Sequence, residues 1–185
     1  AEGRDFMVIG CPSMYMKGKR LHIQNPKLDV NSKVCFNSNV AASVPTRKFI
    51  KLKMKEFENH YFIGQVVNEL RSIYLGAPYE YKIEYNFRNV TDKIYQDGRL
   101  RFFCNVPKWM EFLNDSDLTF GSRLHGNIAA VLAGTPALLV TKDSRTRELA
   151  EYHHLNAIHE SKLNEKLTLQ DLVEQQDFTQ IEKYQ

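Results

Sequence analysis

Short apolar runs separated by polar, turn-forming segments dominate the pattern of this chain. The runs are shorter than ordinary helices, and Gly, Pro, Asn, Asp or Ser lies close to most of them, so they predict β-strands. The predicted strands are Phe6–Ile9, Val34–Phe36, Tyr61–Ile63, Arg101–Cys104, Leu118–Phe120 and Ala137–Val140.

Segments with helical spacing of apolar residues lie between several of these strands. In one of them Val66, Leu70, Ile73 and Tyr74 recur at the spacing of one helix face. Gly134 is a typical residue directly after a helix. The predicted helices are Val66–Tyr74, Pro107–Leu113, His125–Ala133, Arg145–His153 (with Asp143 or Ser144 as its cap), Leu167–Gln175 and Phe178–Tyr184.

This alternation of strands and helices predicts one α/β domain over residues 1–185, a Rossmann-like three-layer αβα fold with a mainly parallel sheet. Uninterrupted apolar strands fit such a sheet because helices cover both of its faces. The segment Gly10–Ser32 is polar and reads as a long loop. Ile50–Lys55 stays open, since its strict alternation favours a strand while Phe49, Leu52 and Phe57 suit a helix.

Composition narrows the class of protein only slightly. Hydrophobic residues make up 43% and charged residues 25%, which is ordinary for a globular protein. The net charge of +3 is too balanced to indicate nucleic-acid binding, and we interpret the basic run Arg47–Lys55 as a solvated face. The three cysteines (Cys11, Cys35 and Cys104) are odd in number and widely spaced, which favours a reducing, cytoplasmic compartment.

The first residues predict neither a signal peptide nor a membrane anchor. The chain lacks an initiator Met, a basic leader and an apolar leader segment, and no apolar stretch approaches membrane-spanning length. Its abrupt start before Phe6–Ile9 indicates a segment of a longer protein.

Polar loops follow four of the predicted strands. Ligands of open α/β sheets bind outside the carboxyl ends of the strands, so parallel strands would bring these loops to one ligand-binding edge. The loops are Gly10–Ser13, Asn37–Asn39, Ser122–His125 and Lys142–Arg145.

The loop with Arg123 and His125 is the strongest candidate for chemistry. A cation at a helix N-terminus opposes the helix dipole, so Arg123 needs an anionic partner, either a ligand, which we favour, or a carboxylate such as Asp143. His125 suits proton transfer, although an isolated histidine would more often be structural. Arg145 has two interpretations, as part of this ligand-binding site or as a partner in local ion pairing, and both stay open.

Two further groups of polar residues have structural interpretations. Arg147 suits local pairing on a helix surface, and His153 and His154 stand at a helix end, where positive charge is favourable. The His, Cys and Asp residues show no metal-ligand spacing, so no metal site is expected.

Several motifs in order resemble the polysaccharide pyruvyl transferase family. They are Gly10-Cys-Pro-Ser13, Gly121-Ser-Arg-Leu-His-Gly-Asn-Ile-Ala-Ala130, Ala133-Gly-Thr-Pro136, Asp143-Ser-Arg-Thr-Arg-Glu-Leu149 and Tyr152-His153.

The resemblance implies the C-terminal half of a two-domain architecture similar to GT-B glycosyltransferases, whose cleft needs the absent N-terminal domain. It implies a bacterial, cytoplasmic enzyme, peripheral to the inner membrane face, that transfers pyruvyl groups from phosphoenolpyruvate to sugar hydroxyls during exopolysaccharide or other cell-surface polysaccharide biosynthesis. The acceptor would be a saccharide, free or lipid-linked, and no cofactor or metal would be needed. Activity of the isolated domain is not implied.

The same resemblance assigns roles to residues of the central turn. His125 would be the general acid or the phosphate-stabilising donor, and Arg123 would bind the carboxylate or phosphate bidentately. The helix N-terminus at Gly126 would assist, with Ser122 and Arg145 in the same pocket. Two other functions stay open: a GT-B-like glycosyltransferase with a nucleotide-sugar donor, and a non-catalytic module that binds a glycan or partner.

Overall fold

A six-stranded parallel sheet organises the part of the chain that the structure describes. The structure is a computed structural model that describes residues 7–77 and 90–184. All neighbouring strands pair in parallel in the order β3-β2-β1-β4-β5-β6. The strands are β1 (Val34–Asn37), β2 (His60–Gly64), β3 (Leu100–Phe102), β4 (Leu118–Gly121), β5 (Ala137–Thr141) and β6 (Ala157–His159).

Helices connect the strands and complete the predicted Rossmann-like three-layer α/β fold. None of the helices in the described ranges is long and apolar enough to cross a membrane. The α-helices are α1 (Val44–Met54), α2 (Val67–Leu75), α3 (Lys93–Gln96), α4 (Val106–Asn114), α5 (Leu124–Ala133), α6 (Ser144–Tyr152) and α7 (Leu169–Glu174). Short 3₁₀ helices span Pro12–Met16, Gly18–Arg20, Glu160–Lys162 and Phe178–Tyr184.

The core lies on both faces of the central strands. Every residue of β1, β4 and β5 is buried, as expected for parallel strands covered by helices on both faces. Phe36 of β1 meets Phe120 of β4 edge to face, with ring centroids 6.2 Å apart, and Phe49 of α1 contacts Phe120 at 6.0 Å. These contacts hold β1 and β4 side by side, and the two strands carry the candidate site.

The ambiguous segment Ile50–Lys55 is helical as far as Met54, within α1. Ser43 caps this helix and Pro45 occupies its first turn, both of which favour initiation there. The basic run is not simply a solvated face: Lys53 is buried against Glu56, with Nζ and Oε1 2.7 Å apart. Arg47 is also buried and donates to the Ala42 carbonyl, so these cations stabilise the fold.

One predicted strand near the start of the sequence was wrong, and one strand near its end was not predicted. Met7–Ile9 is exposed and forms no strand, and Phe6 lies outside the described residues. The apolar run Met7–Ile9 suggested a strand, but the sixth strand of the sheet is β6, which the sequence did not predict. β6 is half-buried at the edge of the sheet, so it lacks an apolar run. Phe178–Tyr184 is helical as predicted, but in the tighter 3₁₀ form.

Gly10–Ser13 therefore does not follow a strand, contrary to the prediction. Gly10 has φ +62°, and a side chain there would collide with His153. The backbone N–H of Cys11 donates to Nε2 of His153 over 2.6 Å, and the Tyr152 hydroxyl donates to the Val8 carbonyl. His153 is 4% exposed, so it is a structural histidine, as predicted, and it fixes this segment to the end of α6.

This contact predicts a pH-dependent contribution to stability. Burial, and then the charge of His154, lowers the pKa of His153 below its ordinary 6.5. The unfolded chain therefore binds the proton more readily, so the stabilisation is complete above about pH 6.5 and is lost as pH falls towards the lowered folded pKa. Urea unfolding from about pH 7.5 to 5 should show a steeper decline for the native chain than for His153→Gln. Parallel declines would contradict this assignment.

Candidate functional site

The candidate site lies at the topological switch point of the sheet, between β1 and β4. The chain leaves β1 towards β2 and leaves β4 towards β5, so a crevice opens where these two strands end. Asn37 ends β1 opposite Gly121, which ends β4. A side chain at position 121 would overlap the Asn37 backbone, so glycine is required for this close approach.

Hydrogen bonds join the loops that follow these two strands. The Asn37 side-chain oxygen accepts the backbone N–H of Arg123 over 2.8 Å. The Ser122 hydroxyl accepts the backbone N–H of Asn39, also over 2.8 Å. The prediction that Asn37–Asn39 and Ser122–His125 share one edge is thus confirmed, and the turn that begins α5 is held in one position.

Arg123 has a protein carboxylate as its partner, and that carboxylate is Glu69. Its Nη2 lies 2.8 Å from Oε1 of Glu69, whose side chain is fully buried. Its Nε donates to the Ser38 carbonyl over 2.6 Å. Asp143, the carboxylate suggested by the sequence, instead caps α6 by accepting the Thr146 N–H over 2.7 Å.

Glu69 connects Arg123 with the start of α2. Its other oxygen, Oε2, accepts the backbone N–H groups of Gln65 and Val66 over 2.5 and 3.0 Å. A carboxylate is favourable at a helix N-terminus, so one buried side chain caps α2 and orients the guanidinium. Sequence inspection missed this role, although Glu69 stands at the position of the first helical turn where acidic residues are typical.

The Arg123 side chain is 11% exposed and lines a cavity. Nε and Nη2 form one edge of the group, and Ser38 and Glu69 occupy that edge. Within residues 7–77 and 90–184, Nη1 of Arg123 makes no hydrogen bond. Because a guanidinium carries five N–H donors in a fixed fork, the edge formed by Nη1 and the second Nη2 hydrogen can receive an anion.

A cavity of about 160 Å³ opens at this place, and we call it the switch-point cavity. It brings together four of the five predicted site residues, Ser122, Arg123, His125 and Arg145. Gly126 is buried against Asn37 and Gln65 and does not line it. The complete lining is Asn39, Gln65, Ser122, Arg123, Leu124, His125, Asp143, Arg145 and Thr146.

The electrostatics of the switch-point cavity favour an anion. Arg123 is the N-cap of α5 and supplies no side-chain acceptor, so the positive end of that helix opens towards the cavity. Arg145 adds a second cation. Hydrogen bonds from the Thr146 backbone and hydroxyl hold the pKa of Asp143 below its ordinary value. This carboxylate is therefore charged, but its oxygen already accepts the hydrogen bonds that cap α6.

The neighbouring basic residues differ in their relation to this cavity. Arg147 pairs with Glu151 along α6, with Nε and Oε1 3.8 Å apart, and lies outside the cavity, as predicted. Lys142 donates to the Ala41 carbonyl.

The described parts of the chain contain no group of three or more His, Cys, Asp or Glu residues that could hold a metal ion.

Comparison with known proteins decides the family. The model of the family described as polysaccharide pyruvyl transferase matches residues 4–144, well over half of the 185 residues. The chain belongs to the polysaccharide pyruvyl transferase family. The match includes β1 to β5 and the switch-point cavity except for its last two lining residues. No curated protein and no solved structure matches the chain.

Proposed function

We propose that this family member binds phosphoenolpyruvate in the switch-point cavity and transfers its pyruvyl group to hydroxyls of a sugar. One observation carries the proposal: the outward edge of Arg123, the N-terminus of α5, His125 and Arg145 converge on one small cavity. Phosphoenolpyruvate bears a carboxylate and a phosphate, so it needs two separate groups of cationic or N–H donors. Arg123 with α5 would bind one, and Arg145 the other.

The proposed transfer is a ketal-forming addition and substitution. A proton adds to the methylene carbon, which leaves C2 oxocarbenium-like, and one sugar hydroxyl forms a C2–O bond and loses its proton. A second hydroxyl then forms another C2–O bond as the C2–O bond to phosphate breaks, and its proton leaves with the departing group as hydrogen phosphate. His125 either donates the first proton or donates a hydrogen bond to the departing phosphate.

The setting of this reaction forms part of the proposal. A second, N-terminal domain would cover the switch-point cavity and complete a GT-B-like cleft. The protein would then act in the cytoplasm, at the inner face of the membrane, on a saccharide that is free or lipid-linked.

The alternative function, in which a nucleotide sugar is the donor, is less well supported. The evidence against it lies at the start of α1. In doubly wound folds the N-terminus of the helix after β1 receives a pyrophosphate. Here the Glu160 carboxylate occupies that place and accepts the Ser43 and Thr46 hydroxyls over 2.6 and 2.8 Å. Partial burial raises the pKa of Glu160, but the Ser43 and Thr46 hydrogen bonds and the charges of Lys142 and His159 together lower it more, so the carboxyl group is anionic. A diphosphate would be repelled there.

Calorimetric titration of the chain with phosphoenolpyruvate tests the proposal. Arg145→Ala should weaken binding about 10- to 100-fold, because a hydrogen bond to a charged group contributes about 1.5–3 kcal/mol. Arg147→Ala is the matched control, since it removes the same charge two residues away and outside the cavity.

Nucleotide sugars provide the opposing arm of that titration. We expect UDP- and GDP-hexoses to bind at least tenfold more weakly than phosphoenolpyruvate. Binding of a nucleotide sugar without any response to phosphoenolpyruvate would overturn the proposed donor. Equal losses for Arg145→Ala and Arg147→Ala would show that the cavity is not the binding site.

A further inference from the structure

A second cavity of about 160 Å³, which we call the aromatic cavity, adjoins the first. It lies where β2 and β3 end, at the same edge of the sheet as the switch-point cavity. Gln65 lines both cavities, so the two meet at this side chain. The aromatic cavity is lined by Gly64, Gln65, Phe102, Phe103 and Trp109.

Stacked rings form a wall of this cavity. The rings of Phe103 and Trp109 are nearly parallel, with an interplanar angle of 9° and centroids 6.5 Å apart. Phe112 supports Phe103 from outside the cavity, with ring centroids 5.2 Å apart. An aromatic wall held by its neighbours presents a preformed, flat apolar surface to a ligand.

Two polar groups of the lining lack hydrogen-bond partners. Nε2 of Gln65 and Nε1 of Trp109 are buried and have no acceptor among the described residues. Leaving a buried donor unsatisfied is unfavourable, so such groups call for an explanation. Nε2 of Gln65 lies towards Gly126, where an added Cβ would stand 2.5 Å from it, so of the two only Nε1 of Trp109 is left for a ligand of the aromatic cavity.

We propose that the aromatic cavity binds a pyranose ring of the acceptor saccharide. A pyranose has an apolar face of C–H groups, which suits the Phe103–Trp109 wall, and a rim of hydroxyl oxygens, which can accept the N–H of Trp109. Bound there, the sugar extends a hydroxyl past Gln65 into the switch-point cavity, where the donor carbon would lie. The inference rests on the proposed function for its direction of transfer, but binding of the sugar can be measured without phosphoenolpyruvate.

Trp109 is the only tryptophan of the chain, so its fluorescence reports directly on this cavity. We expect a saturable shift in emission when methyl glycosides of galactose, glucose or mannose are added, with a millimolar dissociation constant for at least one of them. Sorbitol is the control, because it has the hydroxyls of a hexose but no ring face. An equal response to sorbitol, or no response to any glycoside up to about 100 mM, would overturn the proposal.

Variants separate ring stacking from general loosening of the aromatic cluster. Phe103→Ala removes part of the wall and should weaken glycoside binding at least fivefold, while calorimetric binding of phosphoenolpyruvate stays unchanged. Phe112→Leu disturbs the packing of the same ring from outside the cavity and should leave glycoside binding within twofold.

A titration with uridine is a separate arm of the experiment. A saturable response to uridine but to no glycoside would show that the aromatic cavity binds a nucleobase and not a sugar. If phosphoenolpyruvate fails to bind while glycosides do, only the proposed donor is lost.

Discussion

Replacement of His125 by alanine should reduce pyruvyl transfer by about 10²- to 10⁴-fold while the chain folds normally. His125 is exposed in the first turn of α5, and its side chain makes no hydrogen bond or ion pair within residues 7–77 and 90–184. An exposed substitution of this kind changes the free energy of unfolding by only about 0.5 kcal/mol. A large loss of activity would therefore come from the chemistry and not from the fold.

The measurement is phosphate release from phosphoenolpyruvate with a saccharide acceptor, using the longest active form of the protein, together with thermal unfolding. His22→Ala is the control, because the His22 side chain is 73% exposed and lies away from the switch-point cavity. His125→Gln distinguishes the two proposed roles, since an amide donates a hydrogen bond but cannot transfer a proton. Partial activity of His125→Gln would assign phosphate stabilisation, and unchanged activity of His125→Ala would remove His125 from the mechanism.

The edge of the sheet that carries the site was predictable because it depends on local sequence patterns. Apolar runs at Val34–Phe36 and Leu118–Phe120 predicted buried parallel strands, and polar residues directly after them, from Asn37 and Ser122, had to meet at the carboxyl edge. The same rule applied to β2 would have reached Gln65, which directly follows Gly64.

Contacts between residues far apart in the chain were not predictable in this way. Glu69 and Arg123 are 54 residues apart, and nothing local in either segment specifies that they pair. Asp143, which the sequence offered both as a partner of Arg123 and as a helix cap, acts as the cap of α6. The strand prediction for Met7–Ile9 was wrong for a related reason. An apolar run indicates burial, but which run becomes a strand depends on pairing with strands that are distant in sequence.

Replacement of Arg123 by methionine should both destabilise the chain and abolish binding of phosphoenolpyruvate, and the two effects can be separated. The single change leaves the Glu69 carboxylate buried without its counter-ion, which costs about 3–5 kcal/mol. Adding Glu69→Gln removes the unpaired charge, while the amide oxygen can still accept N–H groups at the start of α2. The double variant should therefore recover most of the lost stability in urea unfolding. It should not recover binding, because the donors that face the switch-point cavity are still missing.

The pair formed by Lys53 and Glu56 is a matched control for this cycle. Lys53 is buried, and Glu56 both pairs with it and accepts the Leu169 N–H over 2.9 Å, as Glu69 does for backbone groups of α2. Lys53→Met and its combination with Glu56→Gln should lose and regain stability in the same direction, by a smaller amount because Glu56 is 28% exposed, but leave binding of phosphoenolpyruvate unchanged. If the Arg123→Met/Glu69→Gln chain were stable and still bound phosphoenolpyruvate as tightly as the native chain, Arg123 would serve only to join α2 to α5. The anion would then depend on Arg145 and the N-terminus of α5 alone.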